Sequence, residues 1–153
     1  MKTMKKMLVM LLVAVMILSV PTAQAKTYKA NKVTAKQVVT ELKKSTGLIK
    51  KITKADGIEE LLKTPNFYRS KINFTDKEYK DIYCTVEVFR DIYDAVYRQA
   101  QISTLSYLYG TLQQEEDVPL QAYRFKNVVI RVGSKMPLDR VMKYYNALMK
   151  IVK

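Results

Sequence analysis

Within 153 residues the chain carries 48% apolar and 27% charged side chains, enough for one ordinary domain and too few for two. It has 27 Lys and Arg against 14 Asp and Glu, no His, no Trp, one Cys and four Gly. Without histidine there is no imidazole base, no Ser-His or Cys-His nucleophile pair and no His-ligated zinc, and one cysteine allows neither an internal disulfide nor a thiolate metal cage.

The first 25 residues divide into a basic start (Lys2, Lys5, Lys6), an apolar run over 7–20, and Pro21 followed by the small-residue tripeptide Ala23-Gln24-Ala25. That is the layout of a secretory signal peptide cleaved after Ala25. The apolar run has 14 residues, short of the roughly 20 that a membrane span needs. The expected mature chain begins at Lys26, is secreted and, with no cysteine beside the junction, carries no lipid on an N-terminal Cys. Export also sets ATP-fuelled work aside.

Removing the leader leaves 24 basic and 14 acidic residues, a net of +10 on 128 residues, distributed as +8 over 26–54, −5 over 55–117 and +7 over 118–153. Two basic ends flanking an acidic middle would attract polyanions by counterion release. For an exported chain these are wall polymers and anionic lipid headgroups, with nucleic acid ranked behind them. The competing account of the charge is solubility and internal pairing.

Residues 26–33 are basic and polar and read as a flexible arm. A helix over 35–46 follows: Thr34 and Gln37 form a capping box, Val33 and Val38 a hydrophobic staple, and Gly47 a left-handed stop. After the short apolar stretch of Leu48, Ile49 and Ile52, Asp56 caps a brief helix carrying Ile58, Leu61 and Leu62, which Pro65 ends. The period then changes from 3.6 to 2. Tyr68, Ser70, Ile72 and Phe74 alternate with Arg69, Lys71 and Asn73, and after a polar turn Cys84, Val86 and Val88 alternate with Tyr83, Thr85, Glu87 and Phe89, which predicts an antiparallel hairpin.

Asp91 caps the longest helix, expected to reach Gly110. Its most regular stripe is Tyr93, Val96, Tyr97, Ala100, Thr104 and Tyr107, which helical spacing assigns to the core, with a second row of Ile92, Ala95, Gln99 and Ile102. An acidic loop over 113–117 leads to strands over 122–125 and 128–132 around a Lys126-Asn127 turn, in which Asn tolerates positive φ. Pro137 opens a last helix with Val141, Tyr144, Tyr145, Leu148 and Val152 on one face. The order α-(α)-β-β-α-β-β-α predicts a single α+β domain over 34–153: an antiparallel sheet of about four strands in two hairpins, with helices packed on one face.

The string from Leu61 through Pro65, Tyr68, Ser70, Lys71 and Phe74 to Asp76 resembles the "LLGRPxxYxSKxxFxD" signature of small exported proteins and lipoproteins of Gram-positive bacteria, a family without an assigned activity. Val86-Glu87-Val88-Phe89 with Asp94, Ala95 and Arg98 is similar to its "VEVFxxxxDAxxR" segment, and the stretch from Asn127 through Arg131 to Val132 to its "GNVLLRL". The resemblance spans about 34–148 and implies the fold and export, without a mechanism. The chain departs from it at Lys63 and Lys126, where the family has Gly, and in lacking a lipid-bearing Cys. If the motif marks a shared interaction surface, its members here are Pro65, Tyr68, Ser70, Lys71, Phe74, Asp76, Glu87, Arg98 and Arg131.

Ser70 beside Lys71 suggests a Ser-Lys dyad, but adjacent strand residues point to opposite faces, and neither Ser-x-x-Lys nor Gly-x-Ser-x-Gly occurs. Paired carboxylates could cleave glycans without histidine, and Glu59, Glu60, Asp76, Asp81 and Glu87 are available. Asp56, Glu59 and Glu60, or the acids over 115–117, lack calcium-loop spacing. Cys84 reads as a buried thiol, and Glu87 can pair with Arg98 or Arg131 across the sheet face that bears them. Eleven tyrosines, with Arg69, Lys71, Arg124 and Lys126 beside Tyr68 and Tyr123, suit a saccharide- or protein-binding surface. No cofactor or metal is expected.

The preferred expectation is a non-enzymatic exported binding module, taken as a monomer. It would be held at the cell envelope by charge and contact its partner, an envelope polyanion or another exported protein, through the 68–76 strand. The alternatives are a small envelope glycan hydrolase using two carboxylates and an inhibitor or immunity-like protein for another exported protein.

Overall fold

The computed structural model describes residues 26–54, 68–113 and 120–153. The leader, the brief helix ending at Pro65 and the acidic loop after Gln113 lie outside the described residues. Helix α1 (Ala35–Thr46) has the termini its sequence predicts. The Gln37 amide donates to Thr34 Oγ1 at 3.3 Å, the Thr34 amide donates to Gln37 Oε1 at 2.9 Å, and Gly47 stops the helix at φ 67°.

Five strands follow: β1 (Ile49–Lys54), β2 (Tyr68–Asp76), β3 (Cys84–Phe89), then, after helix α2 (Ile92–Gln113), β4 (Leu120–Phe125) and β5 (Val128–Gly133). Helix α3 (Leu138–Ile151) closes the chain. The sheet is antiparallel throughout, in the order β1-β2-β3-β5-β4. The fold is therefore α+β, with one strand more than the periodicity predicts. The extra strand is β1. Its pairing with β2 shifts between Ile49 and Lys51, so Ile49 and Ile52 reach the same apolar cluster at a spacing of three and the alternation that marks a strand is hidden.

Packing also corrects the expectation of helices on one face. Val86, Val88, Val128, Ile130 and Val132 of the sheet meet Val38, Val39, Leu42, Val141, Tyr144 and Leu148 of α1 and α3 in one large core. The opposite face carries a small cluster, Phe89, Val129 and Ala95, under α2. The arrangement is three layers: two helices, the sheet, one helix. This explains why β3 is buried at every position although its sequence alternates, because its polar face lies under a helix instead of in water.

The tyrosine stripe of α2 faces outward, against its assignment to the core: Tyr93, Tyr97 and Tyr107 are 81%, 61% and 70% exposed. The buried row is the less apolar one, Ala95, Arg98, Ile102 and Ser106, with Gln99 half-buried. Its small residues let the helix approach the sheet, and its polar ones cover a strand edge. Leu120, Ala122 and Arg124 turn their carbonyls to the open edge of β4, and these accept from Ser106 Oγ (2.8 Å), Gln99 Nε2 (3.1 Å) and Tyr145 Oη (3.2 Å). At the other edge, β1 is blunted by Lys50, Lys51 and Lys54, and Lys43 Nζ donates to the Lys50 carbonyl at 3.1 Å.

The Lys126-Asn127 turn is present, but Lys126, at φ 51°, and not Asn127, takes the positive φ. Asn127 serves through its side chain, whose Nδ2 donates to the carbonyls of Ala30 and Phe89, both at 2.9 Å. The segment read as a flexible arm is thereby tied down. Tyr28 also forms a parallel bridge with Val152, its amide donating to the Ile151 carbonyl at 2.7 Å and its carbonyl accepting from the Lys153 amide at 2.8 Å.

Candidate functional site

The residues singled out as an interaction surface are mostly interior. Phe74, Asp76, Glu87 and Arg131 are at most 1% exposed and Arg98 is 8% exposed; Lys71, Ser70 and Tyr68 are half-buried, and Pro65 lies outside the described residues. As a contact face for a partner the set is overturned. The structure gives these residues another task, since each polar member fastens one helix to the sheet.

Ser70 holds α1. The register between β2 and β3 shifts between Tyr68 and Ser70, which moves Tyr68 to the α2 side beside Phe89 and leaves Ser70 on the α1 side. Ser70 Oγ accepts from the Ala35 amide at 2.8 Å, satisfying a first-turn N–H that the helix itself cannot pair. At the irregularity, Arg69 donates to the carbonyls of Asn31 and Val33, just ahead of α1.

Asp76 holds α3. Arg140 donates to it from Nε and Nη2, both at 2.8 Å, Tyr144 Oη donates to Oδ2, and the Glu78 and Tyr79 amides donate to Oδ1 at 2.8 and 3.2 Å. Burial alone would raise its pKa. The Arg140 and Tyr144 hydrogen bonds and the two amides outweigh that and hold the carboxyl well below the usual range. Tyr144 is pushed up, first by burial and then by its bond to the carboxylate. The sequence offered no pointer to Arg140, a basic residue in an amphipathic helix 64 positions away.

Glu87 holds α2. Arg98 grips it with two donors, Nε to Oε2 at 3.1 Å and Nη2 to Oε1 at 3.2 Å, and its Nη1 donates to Gln101 at 2.9 Å. Arg131 Nη2 lies 3.3 Å and Lys71 Nζ 4.0 Å from the same carboxylate. Both pairings read from the sequence are therefore present together. Lys71, its ammonium 5.5 Å from the centre of the Tyr68 ring, is lowered to about 8 by burial and by Arg131, against the opposing pull of Glu87.

Asp76 and Glu87 face opposite sides of the sheet, each engaged by arginine, so the two do not line a common cleft. Among the described residues no three His, Cys, Asp or Glu side chains gather to hold a metal ion, and no helix is long and apolar enough to cross a membrane. The acids weighed for calcium lie outside the described residues. Cys84 is buried on the α1 and α3 side, and burial together with the Asp76 charge pushes its thiol up to about 12. A disulfide reagent at pH 8 should leave Cys84 unmodified in the native protein over the time in which it labels the denatured chain completely. Equal rates in the two states would contradict this burial.

Two outward features remain. Lys143, Asn146, Ala147 and Lys150 of α3, spaced to share a face, line a groove with Ser45, Thr46 and Leu48 at the end of α1. Lys50 and Lys51 of β1 follow directly in the chain, both exposed. The sole acid near these lysines on α3, Asp139, meets Lys143 at 3.6 Å in an exposed pair, a type of contact worth little. The second feature is the α2 face of Tyr93, Val96, Tyr97, Ala100, Thr104 and Tyr107, set in a run from Gln99 to Gln114 that has no charged residue. The sequence had marked both regions, the first only as charge density and the second as core. Comparison with protein-family models, with curated proteins and with solved structures found no match.

Proposed function

We propose that the chain is an exported binding module without catalytic activity that is retained at the cell envelope by contact with an anionic polymer or anionic lipid headgroups. The observation that carries this reading is the lysine-lined groove between α1 and α3 beside the lysine edge of β1. The acids of the described chain are largely consumed internally: Asp76 and Glu87 bind helices and Glu41 pairs with Lys44, so the outward field on this side is positive. A repeating polyanion suits such a field, because exposed lysines act as point charges that follow an anionic chain without fixed geometry.

Co-sedimentation of residues 26–153 with purified cell walls, and separately with anionic vesicles, tests the reading. Binding is expected at low salt and release at high salt. The triple variant Lys50→Gln, Lys143→Gln, Lys150→Gln should bind vesicles about 100-fold more weakly, from roughly 1 kcal/mol per basic residue at an anionic surface. Absence of binding to either material at low salt would refute retention by charge.

The exposed tyrosine face of α2 favours a second reading, an inhibitor or immunity-like protein that covers another exported protein. Tyrosine gives large rigid contact area with a polar tip, and an uncharged stretch on a strongly basic chain is where a protein partner docks with the least desolvation of charge.

A further inference from the structure

The start of the described chain carries an unusual contact. The main-chain nitrogen of Lys26 donates to Glu41 Oε2 at 3.1 Å. Glu41 sits on α1, is only 4% exposed, and is pulled below its ordinary pKa by Lys44, whose Nζ lies 2.9 Å from Oε1, and by this main-chain nitrogen. A carboxylate so far removed from water needs strong partners. One neutral amide with a single N–H is a weak one.

Lys26 is also the residue that the Ala23-Gln24-Ala25 pattern places first in the mature chain. Hydrolysis of the Ala25–Lys26 bond adds water across it: hydroxyl goes to the Ala25 carbonyl carbon, hydrogen to the Lys26 nitrogen. At neutral pH the new Ala25 carboxyl gives up a proton and the Lys26 amine takes one. The nitrogen beside Glu41 thereby changes from a neutral amide to an ammonium with three donors, without moving. We propose that leader removal completes an ionic latch, in which the α-ammonium of Lys26 pairs with Glu41 and locks the 26–33 segment against α1.

The surrounding structure is built to hold that end in place. Two residues on, Tyr28 is bonded on both sides to the C-terminal segment, and the Ala30 amide and carbonyl are bonded to Lys153 and Asn127. The chain thus has little freedom to carry Lys26 away from Glu41. Lys26 and Glu41 share the wall of a groove with Tyr28, Thr34, Lys36, Gln37, Thr40 and Lys44. The charge created by cleavage falls where four lysines, counting Lys26 itself, surround one acid, so Glu41 is the feature that makes the position favourable.

The inference rests on the leader reading, and the two are separable. Residues 26–153, which contain the whole of both apolar clusters, are prepared with a free α-amine by cleavage of a fusion that leaves Lys26 first, and also in N-terminally acetylated form, each with Glu41 and with Glu41→Gln. The free-amine form should melt about 2–5 °C above the acetylated form in the Glu41 chain, and the difference should vanish in the Glu41→Gln chain. Identical melting of the two Glu41 forms overturns the latch, and this comparison needs no substitution that could unfold the protein. The mass of the exported protein tests the other half: a first residue other than Lys26 detaches the latch from maturation, whatever the melting curves show.

Discussion

Asp76→Asn is expected to lower the unfolding free energy by about 3–5 kcal/mol, the range for breaking a buried ion pair by removing one partner. The size follows from what the carboxylate does. It is fully buried and accepts from two donors of Arg140, the Tyr144 hydroxyl and two main-chain amides, so one side chain satisfies the turn after β2 and anchors α3. The amide is nearly the same shape but has one acceptor and no charge, and it points two N–H groups at donors. Since a domain of this size has about 5–15 kcal/mol in all, the variant should be marginal at room temperature. Urea unfolding at pH 7 measures the loss. Replacing Arg140 by Met in the same chain should recover part of it, because the stranded guanidinium is then gone. The pH dependence has a definite sign. The folded carboxyl titrates below the unfolded one, so its stabilisation is complete above about pH 4 and drains away as pH falls further. That acid-limb slope should flatten in Asp76→Asn. A loss under about 1 kcal/mol at pH 7 would mean that the five contacts do not act as a buried charge pair.

What could be read ahead of the structure was what lies close in sequence. Thr34, Gln37 and Gly47 bound α1 with groups at most four residues from their partners, and the Lys126-Asn127 turn lies between two clean alternations. The α+β class followed from those elements. The layer arrangement did not, because it depends on which face of β3 a helix covers, and a strand with Glu87 and Thr85 on one face reads as half solvated until Arg98 supplies a partner. The same long-range chemistry misdirected the site. Ser70, Asp76 and Glu87 are polar residues in strands, the usual mark of an outward function, yet their partners Ala35, Arg140 and Arg98 come from three different helices and turn them inward. In α2 the tyrosine row outweighed the row of Ala95, Gln99 and Ser106 in hydrophobicity. Close approach to the sheet and cover for the β4 carbonyls selected the smaller, more polar row. The irregularity at Lys50 erased the period of β1 in the same way that a shifted register always does. The Glu87 pairings were legible because a fully alternating strand leaves an acid one choice of face, and on that face Arg131 is a near neighbour in β5.

Glu87→Gln should cost about 3–5 kcal/mol locally, and its effect should be confined to one helix, which distinguishes it from the loss at Asp76. Helix α2 rests on a small apolar cluster, Ala95 against Phe89 and Val129, whereas α1 and α3 share the large core, so the ionic contact carries much of the α2 docking. Removing the carboxylate shared by Arg98, Arg131 and Lys71 leaves three cations around a neutral amide in a site with little water. Hydrogen exchange should therefore show α2 amides losing protection while those of α1 and α3 keep theirs, and unfolding followed by two probes should cease to coincide. Lys71 reports the same event. It is held at about 8, below its unfolded value near 10.4, so the unfolded chain binds the extra proton and stability rises with pH between those two values. Glu87 is the one group in the cluster that pulls Lys71 upward, so Glu87→Gln should lower it further and move the foot of that rise below pH 8. Reductive methylation of Lys71 across pH 6–10 reads the shift directly, and Lys71→Met should abolish the rise in stability. Uniform loss of protection across all three helices, with an unmoved Lys71, would show instead that the pair is a general prop of the fold and that α2 is held by its apolar contacts alone.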